Sequence, residues 1–223
     1  GRTWSKPMLP GTQHIGRIVI DPRDPNVVYV AANGPLWGPG GERGLFKTVD
    51  GGKTWTNTKS LSETAGFTEV VIDPANPDVL YAASQQRERR AYGFLPAGAE
   101  AAVWKTTDGA KTWTKLGRGL PTGELGRMGL SVCRSRPYTV YALIHAKGSA
   151  NGLYRSDDAG SSWRQVNNSN GTAWFYGQVR CDPTDAEHVI KLNVGSTESF
   201  DGGRTWRPFA QGGGVHADHH ALW

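Results

Sequence analysis

Short apolar runs broken at a fixed point recur along the chain. They are "RIVIDPRDPNVVYVAA" at 17–32, "EVVIDPANPDVLYAAS" at 69–84, a degraded "GLSVCRSRPYTVYALI" at 129–144 and "QVRCDPTDAEHVIKLN" at 178–193. Each half is too short for a stable helix, rich in β-branched residues and bounded by Asp, Pro or Asn, which predicts two strands joined by a turn. After a variable stretch comes a third short apolar segment, "GLFKT", "AVWKT" or "GLYRS". A second turn then follows: "TVDGGKTW" at 48–55, "TTDGAKTW" at 106–113, "SDDAGSSW" at 156–163 and "SFDGGRTW" at 199–206. A fourth strand is predicted to open at the Thr-Trp or Ser-Trp pair.

Four short strands per repeat, with turns at constant offsets, predict an all-β chain folded as a β-propeller of four-stranded antiparallel blades. The full blades are expected at about 9–59, 60–117, 118–167 and 168–210, with a partial blade at 1–8 and the start of another at 211–223. On this reading the chain is part of one larger ring, of about seven or more blades, and the remaining blades or a partner close it. Asp50, Asp108, Asp158 and Asp201 are expected to be structural: an aspartate and a Ser/Thr hydroxyl satisfy turn amides while glycine supplies positive φ. Trp55, Trp113, Trp163 and Trp206 are expected to fill the space between neighbouring sheets.

Composition sharpens this picture only in places. Thirty glycines, thirteen prolines and nine tryptophans in 223 residues favour strands and turns over helices. The net charge of +5 is dispersed, so nucleic acid is not an expected partner. No apolar run reaches 18 residues, and no membrane insertion is expected. Cys133 and Cys181 fall at corresponding ends of neighbouring inner strands, where a disulfide is conceivable. They are expected to stay unpaired, because adjacent inner strands are often too far apart.

The repeated turns resemble the Asp-box, or bacterial neuraminidase repeat, which occurs in sialidases, xyloglucan-cleaving hydrolases, sortilin-type receptors and photosystem assembly factors. The longer stretches "IGRIVIDPRDPNVVYVAA", "LWGPGGERGLFKTVDGGKTW", "LYRSDDAGSSW" and "VHADHHALW" resemble the large bacterial sortilin-like propeller proteins, commonly labelled glycosyl hydrolases. That resemblance implies an exported protein (secreted, periplasmic or at the cell surface) with tandem propellers.

In a propeller the Asp-Pro and Asp-Gly turns share one face, and the irregular loops share the other. Binding is expected on the loop face. Its candidates are Trp37 in "NGPLWGPGGER", Arg87, Arg89, Arg90 and Tyr92 in the insertion at 85–101, and Arg127, Trp174, Tyr176 and His219 on the connectors. Arginine beside aromatics can grip acidic sugars or peptide carboxylates. The same aromatics could instead staple the loops to their neighbours. No cofactor is expected; His216, Asp218 and His220 share one side of a predicted strand and form the one candidate site for a divalent ion.

Sialidase chemistry is not expected, because no Arg-Ile-Pro motif is present. Glu69, Glu100, Glu124 and Asp218 are the non-turn carboxylates near the loop face, and no spacing marks two of them as a glycosidase pair. The sequence therefore favours a non-catalytic binding or assembly module that presents its loop face to a protein or glycan. The alternative is a glycoside hydrolase-like enzyme whose catalytic carboxylates lie partly outside these residues.

Overall fold

The computed structural model describes Leu9, residues 11–168 and 176–209, His219 and Leu222. The first sheet comprises β1 (Ile15–Ile20), β2 (Val28–Ala32), β3 (Gly44–Thr48) and β4 (Thr56–Lys59), in that order and antiparallel throughout. The second contains β5 (Ala65–Ile72) and β6 (Leu80–Gln86), then β9 (Val103–Thr106) and β10 (Thr114–Lys115). A separate hairpin, β7 (Glu88–Arg90) and β8 (Gly93–Leu95), stands out between β6 and β9. The third sheet is β11 (Met128–Val132), β12 (Val140–Ile144), β13 (Gly152–Ser156) and β14 (Arg164–Asn167). The fourth is β15 (Gln178–Cys181), β16 (Val189–Leu192), β17 (Thr197–Ser199) and β18 (Arg207–Pro208). These are propeller blades, and β5 packs against both β1 and β11, as β11 does against β15.

Apolar side chains fill the wedges between sheets. Tyr81, Leu130, Val140 and Trp163 lie between the second and third, while Tyr141, Leu153, Val179 and Val189 lie between the third and fourth. The innermost strands come close because glycine removes the side chain at the contact. A Cβ on Gly16 would sit 2.3 Å from the Thr68 carbonyl oxygen, and one on Gly129 would sit 2.2 Å from that of Gly177. The outer wall of the first sheet differs: Val70, Leu130 and Val179 are fully buried, yet Ile18 at the equivalent position of β1 is 57% exposed.

The repeated turn is one hydrogen-bonded unit built four times. Thr48 Oγ1 donates to Asp50 Oδ1 at 2.7 Å and accepts from the Gly52 amide at 2.9 Å, while Thr54 donates its amide and hydroxyl to the same carboxylate at 2.9 and 2.6 Å. Asp108, Asp158 and Asp201 receive the hydroxyls of Thr112, Ser162 and Thr205 at 2.6, 2.5 and 2.6 Å. Trp55 and Trp163 return their indole N–H groups to the turn carbonyls of Gly52 and Gly160.

Cys133 and Cys181 are bonded to each other, with Cα atoms 5.4 Å apart, which corrects the expectation of unpaired thiols. Adjacent inner strands come within disulfide reach because Gly129 lets β11 close on the segment before β15, and the Cys181 amide donates to Ser131 Oγ at 3.0 Å.

Candidate functional site

Two irregular loops meet on the face opposite the Asp-Gly turns. One connects β2 to β3, and the other carries the β7–β8 hairpin. Proline and glycine deny the first loop any ladder of its own, so its carbonyls need another donor. Arg43 supplies it, donating to the carbonyls of Asn33, Pro35 (2.8 Å), Gly38 (2.9 Å) and Gly40 (3.0 Å). Burial lowers the pKa of its guanidinium, and the Glu88 carboxylate opposes that shift. Sequence reasoning passed over Arg43; its signal was a lone arginine at the end of a run of glycines and prolines.

The Arg89 amide donates to the Leu36 carbonyl at 2.8 Å and clasps the hairpin to the first loop. The Arg89 guanidinium carbon lies 5.6 Å from the centroid of the Trp37 ring. Arg90 pairs with Glu88 at 2.7 and 3.2 Å and donates to the Tyr92 hydroxyl at 3.3 Å. Trp37 is 67% exposed and Tyr92 84% exposed. The stapling of the loops thus falls to Arg43 and to backbone, and both rings stay open to solvent.

Arg87 turns the other way. Its Nε and Nη2 reach the Asn33 side-chain oxygen at 2.6 and 3.2 Å in the amide orientation that satisfies both groups. Burial brings its pKa down to about 10, helped by repulsion from Arg127 and Arg43. This side leads to a polar cluster near the innermost strands. Arg17 on β1 forks onto Glu69 of β5 at 2.6 and 3.3 Å and reaches Gln178 of β15 at 3.4 Å, and Arg180 donates to that Gln178 oxygen at 2.6 Å. Arg127, just before β11, is depressed by burial, with the Glu69 carboxylate opposing and Arg17 adding to the depression. Arg180 is depressed in the same way.

The other expected residues are scattered. Tyr176 is half-buried just before β15. His219 packs on the loop between β16 and β17, with Nδ1 2.6 Å from Ser196 Oγ and its amide bonded to the Asn193 carbonyl. Trp174, His216, Asp218 and His220 lie outside the described residues, as do the expected partial blade at 1–8 and most of 211–223. Among the described residues no three His, Cys, Asp or Glu side chains converge as metal ligands.

Each described candidate carboxylate already has a donor. Glu69 is held by Arg17, Glu100 accepts from Ser62 Oγ at 2.6 Å, and Glu124 pairs with Lys147 at 2.9 Å, which lowers its pKa. None of them combines burial with the absence of a donor, the setting that raises a carboxyl to act as a general acid.

No protein-family model matches the chain. It is 25% identical to a xyloglucanase of a Paenibacillus species over 239 aligned residues, covering 92% of this chain and 22% of the relative. It is also 25% identical to the oligoxyloglucan-reducing end-specific xyloglucanase of Emericella nidulans, covering 82% of this chain and 28% of that protein. The chain thus spans about a quarter of the length of the curated relatives it matches. An ancestral GH74 enzyme shares the fold with a TM-score of 0.65 at 16% identity, over 93% of this chain and 26% of that one. These relatives bear the names of hydrolases. The expectation of a non-catalytic binding or assembly module is corrected accordingly, in favour of the glycoside hydrolase alternative.

Proposed function

We propose that this chain is part of the propeller of a glycoside hydrolase-like, carbohydrate-active protein that acts on a glucan chain of the xyloglucan kind. The observation that carries the reading is the pair of open rings, Trp37 and Tyr92, on two loops clasped together by the Arg89–Leu36 hydrogen bond. A pyranose ring has an apolar face of C–H groups, and an exposed aromatic ring fixed on a rigid scaffold gives that face a flat apolar partner. Trp37, Arg89, Arg90 and Tyr92 would then hold the sugar chain. Because Glu69, Glu100 and Glu124 are already engaged, catalytic carboxylates would come at least partly from other parts of the same protein.

Three finer readings accompany this one. The repeated turns are taken as Asp-boxes, and the chain is taken as similar to the sortilin-like bacterial propellers. Export follows from that similarity and accords with the Cys133–Cys181 disulfide, since such bonds persist in oxidising compartments. Exposed Ile18 marks the face of β1 against which a further blade would close.

The test uses the full-length protein containing this chain, with xyloglucan as ligand and substrate. Reducing ends should be released, and Trp37→Ala or Tyr92→Ala should weaken xyloglucan binding by about 1–3 kcal/mol, as loss of a central aromatic contact does. A full-length protein that neither binds nor cleaves xyloglucan overturns the reading.

A further inference from the structure

Guanidinium groups outnumber carboxylates near the propeller axis. Arg17, Arg127 and Arg180 come from three of the four innermost strands or their immediate approaches, and Arg87 approaches from the end of β6. Among the described residues one carboxylate, Glu69, faces this group, and it is only 2% exposed and forked by Arg17. Glu88, the next acid along, is committed to Arg90. The remaining partners are neutral: Gln178 for Arg17 and Arg180, Asn33 for Arg87, and the Val179 carbonyl for Arg180. Arg127 donates no side-chain hydrogen bond among the described residues, although it is partly buried.

Three guanidinium groups here share one carboxylate and a fourth, Arg87, lies beside Arg127, an arrangement that a protein interior disfavours. Desolvating an unpaired charge costs several kcal/mol, and like charges at short range repel. Such a cluster is stabilised by an anion that neutralises it. Solvent reaches these groups, since a quarter of the Arg17 side chain is exposed and Arg87, Arg127 and Arg180 are each part-exposed. The forked Arg17–Glu69 pair shows what the site accepts: a planar carboxylate taking two parallel N–H bonds.

We propose that Arg127, with Arg17 and Arg87 beside it and Arg180 joined to Arg17 through Gln178, forms a binding site for the carboxylate of an acidic saccharide, a uronate. The assignment to a sugar rests on the carbohydrate-active reading above; the anion site itself rests on the arginines. Xyloglucan's glucose and xylose units carry no charge to engage these arginines, so the carboxylate is what would set the ligand of this site apart from the one proposed for the aromatic platform.

The experiment is calorimetric titration of the full-length protein at constant ionic strength with glucuronate, glucose and inorganic sulfate, alongside xyloglucan. Glucuronate should bind and glucose should not. Arg127→Gln should weaken glucuronate binding at least tenfold, leave xyloglucan binding unchanged, and leave the ligand-free melting temperature equal or higher, because an unpaired cation has gone. Arg127→Lys should retain part of the affinity, keeping the charge without the fork. Absence of a glucuronate heat, or equal binding by Arg127→Gln, overturns the site. Sulfate binding as tightly as glucuronate overturns the uronate assignment. If xyloglucan binds through Trp37 while glucuronate does not, only this inference fails; if neither binds, the carbohydrate reading fails with it.

Discussion

Lys105 and Tyr81, cross-strand partners on β9 and β6, donate to the same atom of the next blade. The Lys105 ammonium reaches the Ala159 carbonyl oxygen at 2.7 Å, the Tyr81 hydroxyl reaches it at 2.9 Å, and the ammonium lies 5.4 Å from the centroid of the tyrosine ring. The motif repeats. Lys47, paired with Tyr29, donates to the Gly109 carbonyl at 2.8 Å. Arg155, paired with Tyr141, donates to Glu187 at 2.7 Å, while Tyr141 takes the Ala186 carbonyl at 2.9 Å. Each of the first three sheets thereby grips a turn of the one that follows. In the fourth sheet the corresponding pair is Ile190 and Glu198, side chains without the N–H or O–H donors of the other three pairs, and among the described residues Glu198 pairs with His188 and Arg207.

This shared acceptor predicts non-additive mutants. Tyr81→Phe and Lys105→Met should each cost only about 0.5–1.5 kcal/mol of stability, the net worth of one hydrogen bond, because the Ala159 carbonyl keeps its other donor. The double mutant should cost more than the sum of the two, because either donor alone still satisfies Ala159. Urea denaturation of the four proteins checks this, and strict additivity would sink the shared-acceptor account.

The turn that Lys105 and Tyr81 grip carries strain of its own. Ala159 has φ of 55° and Ala110 has φ of 71°, at positions where the other repeats place glycine with φ near 72° or 90°. An L-residue with a Cβ pays about 1–2 kcal/mol in that region, partly offset by a more restricted unfolded chain. Ala110→Gly and Ala159→Gly should therefore stabilise the protein by about 0.5–1 kcal/mol each. A lower denaturation midpoint in both variants would refute the argument.

These elements differ in how far the sequence disclosed them. Strand periodicity and the Asp-Gly turns were legible because both obey rules local to about eight residues: alternation, positive φ and side-chain caps on nearby amides. The Tyr-Lys grip was written in the same repeats, as Tyr81 before "VWKT", but its meaning depends on which blade lies next. The Cys133–Cys181 bond was misjudged because the spacing of inner strands is set by Gly129 and Gly177, which touch only once the blades are packed. The placing of Trp37, Arg89, Arg90 and Tyr92 on neighbouring loops could be read from the sequence, whereas the contact of Arg17 and Arg180 through Gln178 could not, since strand arginines look like ordinary polar positions until the blades converge on one axis.

The disulfide closes a loop of 48 residues between the third and fourth sheets. A cross-link of that span should contribute about 2–4 kcal/mol, chiefly by restricting the unfolded chain. Thermal melts with and without reductant, and of Cys133→Ala with Cys181→Ala, should fall together by that amount. Equal melting temperatures under both conditions would mean the bond adds nothing to stability.

The turn aspartates give the fold an acid limit with a definite sign. Asp158 is held down to about 2, first by the Ser162 hydroxyl and then by its amide, and Asp182 to about 2 by the hydroxyl and then the amide of Thr184. Asp50, Asp108 and Asp201 lie far below the usual carboxylate range, led by the hydroxyls of Thr54, Thr112 and Thr205. In the unfolded chain these groups titrate near the ordinary value of 3.8. Between pH 4 and 2 the unfolded state thus binds more protons than the folded one, so stability rises with pH across that window. It is fully present above about pH 4 and drains away as pH falls towards and through the folded values. Because several turns titrate together, the loss should be steep, and Asp158→Asn should make it shallower while lowering stability at neutral pH. Urea midpoints between pH 2 and 6 measure both effects. A midpoint unchanged from pH 4 to pH 2 would show that these carboxylates do not hold the blades.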